Sequence, residues 1–459
     1  MLLTLLGGGG FRVPLVFRAL LGDRSEGRVR ELRLHDVDPD RLRAIQLVLQ
    51  EMAAHHPDPP RVVATTDLAT AVRGTDFVFS AIRVGGTAGR AADEALCLGH
   101  HVIGQETVGA GGISYALRGL PVAMEIAHTV RREAPGAWVI NFTNPAGTIT
   151  QAMQQVLGDR VVGICDSPVG LARRVLSTLQ RAGLVDGRDL TVGRGDSQVR
   201  IDYLGLNHLG WLRGLWVGER DVLPDLLARP DLVEGFEEGR LFGSDLVQAL
   251  GAVPNEYLHY YYFAREALAT DLASAEPRGR FLLRQQGAFY EQAAQLEHGA
   301  FDLWQQVRME RERTYMASNR EVAGAFEREA EDMAGGGYDQ VALAIMHAIA
   351  NDVPAELVLN VANRGVIPEL ADEDVIEVPC HVDARGIRPI IGGGLAEHAR
   401  GLVVNAKYVE RATLTAGLER SRQHALLALL HHPLVDSWQV AESLLGNMVQ
   451  QWPELADLA

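Results

Sequence analysis

Short apolar runs punctuate the first third of the chain, at residues 2 to 6, 31 to 36, 61 to 65, 76 to 82, 138 to 141 and 160 to 164. Each has the length of a strand, and helix-sized amphipathic segments separate them. That alternation builds a parallel sheet covered on both faces. Between the second and third runs, Asp38 can cap a helix whose first position is Pro39, and Leu42, Ile45, Leu49 and Met52 then share one face. Six strands joined by crossover helices predict an α/β domain over residues 1–165, a Rossmann-like, doubly wound parallel sheet.

From residue 166 the regular alternation stops. Longer helical patterns appear at about 281 to 332 and 406 to 431, with Gly335-Gly336-Gly337 breaking the first of them. Strand-like Leu357 to Val361 and Val375 to Val378 follow. Residues 166–459 therefore read as a second, mixed α+β domain for substrate and oligomer contacts, and no internal repeat is visible. A chain of 459 residues exceeds what one hydrophobic core usually supports, which agrees with a division in two.

Composition narrows the partners. Hydrophobic residues make up 47% and charged residues 22%, as in ordinary globular proteins. A formal charge of −16 disfavours nucleic acid and anionic membranes, because both require a basic face. An anionic ligand would need locally concentrated arginine. Cys97, Cys165 and Cys380 are too few and too far apart for a disulfide framework, which implies a reducing cytoplasm. The apolar opening Met1 to Leu6 lacks a preceding basic stretch and reads as a first strand. No apolar run approaches the roughly 20 residues of a membrane helix.

The first strand ends in Gly7, Gly8, Gly9 and Gly10, and a helix follows near Pro14. Backbone amides can approach a pyrophosphate there, at a helix N-terminus. Asp36, closing the second strand, is placed to accept hydrogen bonds from ribose hydroxyls. Phe11, Arg12 and Val13 interrupt the full G-x-G-x-x-G pattern, so a plain tight turn is the competing reading. The order strand, glycine turn, helix, strand, acid favours a bound dinucleotide over that turn.

Cys165 closes the sixth strand, at a carboxyl end where open α/β sheets bind ligands. His208 sits in the apolar stretch Tyr203 to Trp211. Either residue alone reads as core packing. One thiolate and one imidazole make only half a site, so any metal they held would have to keep positions open for substrate, as a catalytic ion does.

Ordered blocks make a resemblance specific. They are Ile82-Arg83-Val84-Gly85-Gly86 with Arg90, Asp93 and Glu94, then Ile103 to Gly109, Asn141 to Ala146, and Gly163-Ile164-Cys165-Asp166. Gly205 to His208, Pro254 to Tyr261, Asn360 to Gly365 and Glu377 to Cys380 continue the series. Over nearly its whole length the chain resembles the family 4 glycoside hydrolases, above all their NAD-dependent 6-phospho-β-glucosidases. The glycine loop departs from the family's Gly-Gly-Ser-Ser form.

The resemblance implies a hydrolase that works by redox chemistry in place of the usual carboxylate pair. In that family, bound NAD oxidises the sugar C3 hydroxyl, a base removes the acidified C2 proton, and the C1 oxygen leaves. Water then adds and C3 is reduced again. Carried over by motif, Cys165 and His208 hold a divalent metal, expected to be manganese, and Tyr257 is the base. A phenol needs nearby positive charge for that role. Asp166 matches the leaving-group acid of α-specific members, and a helix cap before Pro168 is its other reading. Arg90 and Asn144 match substrate-contacting positions. Arg278 lies near the family's phosphate-binding arginine, with Arg280 as the alternative. The implied partner is a small phosphorylated glycoside, and the implied assembly a homodimer or homotetramer.

Three competing functions remain at this level. A hydroxy-acid dehydrogenase would share the nucleotide domain and release NADH. A non-enzymatic NAD-binding regulator would leave Tyr257 idle. A family 4 α-glucosidase, α-galactosidase or glucuronidase would share the mechanism. The segment Pro254 to Phe263 favours the β-specific group.

Overall fold

The computed structural model describes residues 1–186, 192–193, 197–329, 333 and 337–458. Strands β1 (Leu2–Leu6), β2 (Glu31–His35), β3 (Arg61–Thr65), β4 (Phe77–Ser80), β5 (Trp138–Asn141) and β6 (Val161–Gly163) form where the apolar runs predict. They pair in parallel in the order β3-β2-β1-β4-β5-β6, the dinucleotide-binding arrangement. Their side chains explain the pairing: Leu3, Leu5, Leu32, Leu34, Val78 and Val139 are all buried between helical layers. The crossover helix Pro39–Ala53 opens as expected, with the Asp38 carboxylate accepting from the amides of Asp40 and Arg41 at 3.0 Å.

The sheet does not stop at β6. Strands β7 (Val199–Leu206), β8 (Leu209–Val217), β9 (Arg220–Asp221), β10 (Val253–Pro254), β11 (Ala355–Ala362), β12 (Val375–Asp383) and β13 (Gly386–Pro389) extend it. The added order is β11-β12-β7-β8-β10, with β13 on β12 and β9 on β8, and every added pairing is antiparallel. At the junction Gly163 faces Asn360, and a Cβ on Gly163 would lie 2.8 Å from the Asn360 Cβ. Only glycine allows that approach. The fold is thus α/β with a mixed α+β second part, as the sequence predicts.

Two long helical patterns are subdivided. The stretch from 281 contains helices Arg278–Ala293, Ala300–Arg313 and Ala317–Val322 among the described residues. Gly299 and Met316, both at positive φ, open the second and third of these. Gly335 and Gly336 lie outside the described residues, and Gly337 (φ +91°) precedes helix Tyr338–Asn351. The stretch from 406 belongs to Glu397–Glu419 and Arg422–His431, separated at Arg420 (φ +56°). Apolar residues continue on both sides of these breaks, and a left-handed residue leaves no apolar signature to mark them.

The later half of the chain grips the glycine loop. The Tyr290 hydroxyl donates to the Gly9 carbonyl at 2.6 Å, the Trp304 indole N–H to the Phe11 carbonyl at 2.8 Å, and the Tyr338 hydroxyl to the Arg12 carbonyl at 3.0 Å. Among the described residues, no helix is long and apolar enough to cross a membrane.

Candidate active site

A cavity of about 1310 Å³ opens along the carboxyl ends of the parallel strands. Its walls include Gly7, Gly10, Asp36, Arg90, Asn144, Cys165, Asp166, His208 and Tyr257. Most residues singled out in the sequence thus share one space, as the carboxyl edge of an open α/β sheet requires.

The glycines shape the turn more than they offer donors. The amides of Gly7 and Gly8 both donate to the His35 carbonyl, at 2.9 and 2.7 Å, and that of Gly10 donates to the Gly7 carbonyl at 2.8 Å. The Gly9 amide donates to Asp36 Oδ2 at 2.9 Å. Gly7 is at φ +81°, and a Cβ there would lie 2.4 Å from the Ala81 oxygen. The amides of Phe11 and Arg12, at the start of helix Val13–Gly22, have no partner among the described residues. They are the donors left for an anion at that helix N-terminus. Asp36 is held in turn, because its Oδ1 accepts from the Asp38 amide at 3.2 Å.

His208 is not inside a strand. Leu206 pairs with Leu209, so Asn207 and His208 form the tip of the β7–β8 hairpin, with His208 at φ +63°. Its Nδ1 lies 2.9 Å from Thr107 Oγ1, and the Thr107 hydroxyl donates to Gln105 Oε1 at 2.9 Å. With that hydroxyl hydrogen committed, Nδ1–H must be the donor to Thr107, which leaves Nε2 as a bare lone pair. Burial pushes the imidazole down to about 3, so the ring stays neutral, the form that ligates metals.

Cys165, 4% exposed, follows β6 on the same cavity. Burial, with Glu377 and Asp166 adding repulsion, raises its thiol well above the usual value. A thiol so placed ionises only beside a cation, and this donor pair fits a divalent metal. Among the described residues, no cluster of three or more His, Cys, Asp or Glu side chains is arranged to hold a metal. The pair would therefore leave coordination positions open to a ligand.

Tyr257 lies in the short 3₁₀ turn Glu256–Leu258, capped by Asn255 Oδ1 at 3.1 Å from the Tyr257 amide. Its ring stacks on His208, and its oxygen is 3.2 Å from that of Tyr315. Burial, then Glu256 and Glu106, raises the phenol well above its ordinary value. Asp166 makes no side-chain cap to helix Ser167–Arg181; its carboxylate faces Arg12 Nη2 at 3.9 Å.

Arginines crowd one end. Arg90 Nη1 is 3.0 Å from Glu106 Oε1, and Arg83 pairs with the other carboxylate oxygen. Burial alone would raise the Glu106 carboxyl, but Arg83, Arg90 and Arg311 bring it down to about 2. Arg12 and Arg311 also line the cavity. Arg278 does not: its guanidinium donates to Thr314 Oγ1 at 2.6 Å and to the Arg311 carbonyl at 3.1 Å. Arg12, Arg83, Glu106, Arg311 and Tyr315 received no role from sequence reasoning. Arg83 and Glu106 lie inside quoted motifs, whereas Arg311 and Tyr315 carry no local signal.

Both parts of the chain are similar to known proteins. Residues 3–181 match the Family 4 glycosyl hydrolase family, and residues 203–435 match the Family 4 glycosyl hydrolase C-terminal domain. A probable 6-phospho-beta-glucosidase of Bacillus subtilis is 30% identical over 97% of this chain and 95% of that protein. A 6-phospho-alpha-glucosidase of Leptotrichia buccalis is 27% identical over 99% of both chains. The structure of the 6-phospho-beta glucosidase from Thermotoga maritima with manganese, NAD+ and glucose-6-phosphate covers 99% of both chains at a TM-score of 0.80 and 25% identity. With both halves matched in order, the chain belongs to family 4 of the glycosyl hydrolases.

Proposed function

We propose that this chain hydrolyses 6-phosphoglucosides, preferring the β-linked series, with NAD and a divalent metal, manganese first, as cofactors. One observation carries the reading: the Gly7–Gly10 turn with Asp36 opens onto the same cavity as Cys165, His208 and Tyr257. A nucleotide and a sugar can therefore meet there. On this reading residues 1–165 hold the nucleotide, and residues 166–459 complete the sugar site and assemble the chain as a homodimer or homotetramer.

Cys165 and His208 Nε2 would hold the metal. Once bound, NAD supplies reversible oxidation at the sugar C3, and the metal supplies Lewis acidity beside the C2 and C3 oxygens. Everything else falls to the chain. Asp36 accepts from the ribose hydroxyls, and the Phe11 and Arg12 amides receive the pyrophosphate. Tyr257 takes the C2 proton, and the C–H electron pair becomes the C1=C2 bond as the C1 oxygen leaves with its own bonding pair. Asp166 gives a proton to that oxygen. Water then adds across the C1=C2 bond, its hydroxyl to C1 and a proton to C2. The bidentate geometry and permanent charge of arginine suit the 6-phosphate, and Arg83, Arg90 and Arg311 with Asn144 supply the contacts. Arg278 acts one step behind, by fixing Arg311.

The anomeric preference rests on the segment Pro254 to Phe263, which resembles the β-specific group. Relatives of both specificities are similar to this chain, and loss of the C2 proton before C1 cleavage makes either anomer chemically accessible. Nitrophenyl α- and β-glucosides, each with and without a 6-phosphate, should be assayed with NAD and manganese. We expect turnover of the β-linked phosphate above the other three. Preference for the α-linked phosphate would reverse the anomer alone, and turnover unaffected by complete NAD removal would overturn the mechanism.

A further inference from the structure

Tyr315 lines the cavity yet has no part in the steps above. We propose that Tyr315 is a positioning residue that fixes the hydroxyl of Tyr257, and that Arg278 and Arg320 hold the turn delivering it; this rests on the reading of Tyr257 as the base. Stacking on His208 sets the plane of the Tyr257 ring, and Asn255 sets its backbone. Neither touches the reacting oxygen. Stacked rings slide across one another at little cost, whereas a hydrogen bond specifies both distance and direction. Among the described residues, the Tyr257 oxygen has one hydrogen-bond partner, the Tyr315 hydroxyl at 3.2 Å.

Tyr315 is itself constrained from several sides. Its hydroxyl also lies 3.4 Å from Glu256 Oε1, which accepts from Ser167 Oγ at 2.7 Å, and the Arg328 guanidinium covers its ring at 5.1 Å. The residue belongs to the turn between helices Ala300–Arg313 and Ala317–Val322, beside Met316 at φ +48°. A left-handed methionine needs tertiary support. Arg320 provides it by donating to the Tyr315 carbonyl at 3.2 Å and to the Arg313 carbonyl at 2.8 Å. Arg278 does the same from the other side, through Thr314 Oγ1 and the Arg311 carbonyl. That use accounts for a part-buried guanidinium outside the cavity lining.

The test is Tyr315→Phe in the holoenzyme, which removes one oxygen and keeps the ring. Exchange of the glucose 6-phosphate C2 proton in deuterium oxide reads the step that Tyr257 performs. Exchange and kcat should fall together by about tenfold or more, with glucose 6-phosphate affinity within about twofold of wild type. Arg278→Gln, which loosens the turn from outside the cavity, should lower exchange in the same direction. Exchange at the wild-type rate in both variants overturns the proposal. So does a loss of affinity in Tyr315→Phe as large as its loss of exchange, which would mark a merely structural role. No exchange in wild type overturns Tyr257 as base and this proposal with it. Exchange that persists without NAD sinks the redox reading independently of Tyr315.

Discussion

The imidazole of His208 lies nearly parallel to the phenol of Tyr257, with ring centroids 3.7 Å apart and planes 12° apart. One residue comes from a hairpin tip and the other from a short 3₁₀ turn, so the contact ties the proposed metal ligand to the proposed base. A cation on His208 Nε2 would sit beside the phenol whose ionisation burial opposes.

Loss of either ligand should therefore disable the site without disturbing the nucleotide half. We expect Cys165→Ser and His208→Ala each to lower manganese-dependent turnover by about a hundredfold or more. NAD affinity, measured by fluorescence titration, should stay within about threefold of wild type. Manganese retained at wild-type stoichiometry after gel filtration of either variant would show that the pair does not bind it.

Arg90 tests the phosphate assignment. Arg90→Lys keeps the charge and loses the planar fork, so KM for a 6-phosphoglucoside should rise by about tenfold while NAD affinity holds. The same substitution should leave inhibition by unphosphorylated glucose nearly unchanged. Equal weakening towards both sugars would place Arg90 away from the phosphate.

Glu106 gives a pH dependence with a defined sign. Its folded-state carboxyl is brought down to about 2 by Arg83, Arg90 and Arg311 against the effect of burial. A depressed acid contributes stability above its unfolded value, and that contribution is lost as pH falls towards 2. Urea unfolding should show wild type more stable than Glu106→Gln at pH 6, with the gap closing as the medium is acidified from pH 4.5 downwards. A constant gap would mean that the ion pairs do not set the shift.

Gly9 is the sharpest probe of the loop. A Cβ there would lie 2.8 Å from the Arg41 Cβ and 3.0 Å from Asp36 Oδ2. Gly9→Ala should displace Asp36 and weaken NAD binding by about tenfold, with kcat at saturating NAD much less affected. Unaltered NAD affinity would remove Asp36 from the ribose site.

The alternation of short apolar runs with amphipathic segments was enough to place β1 to β6, because side-chain period and helix capping are local properties written in consecutive residues. For the same reason Gly7 to Gly10 and Asp36 were legible, each at the end of a strand whose position follows from that pattern; Cys165 was placed at such an end too, but its metal role came only with the resemblance. His208, Tyr257, Arg90 and Asn144 were reached through resemblance, and periodicity by itself offered no reason to join them. Only the tertiary structure decided the rest. Thr107 orients His208 across 101 residues of sequence, Tyr315 meets Tyr257 across 58, and Trp304 reaches the Phe11 carbonyl across 293. Arg278 and Arg311 look alike as sequence, yet one faces the cavity and the other braces a turn. Which way a side chain points depends on helix phase after a left-handed break such as Met316, and on partners brought in from distant strands. Hydrophobic patterning encodes neither.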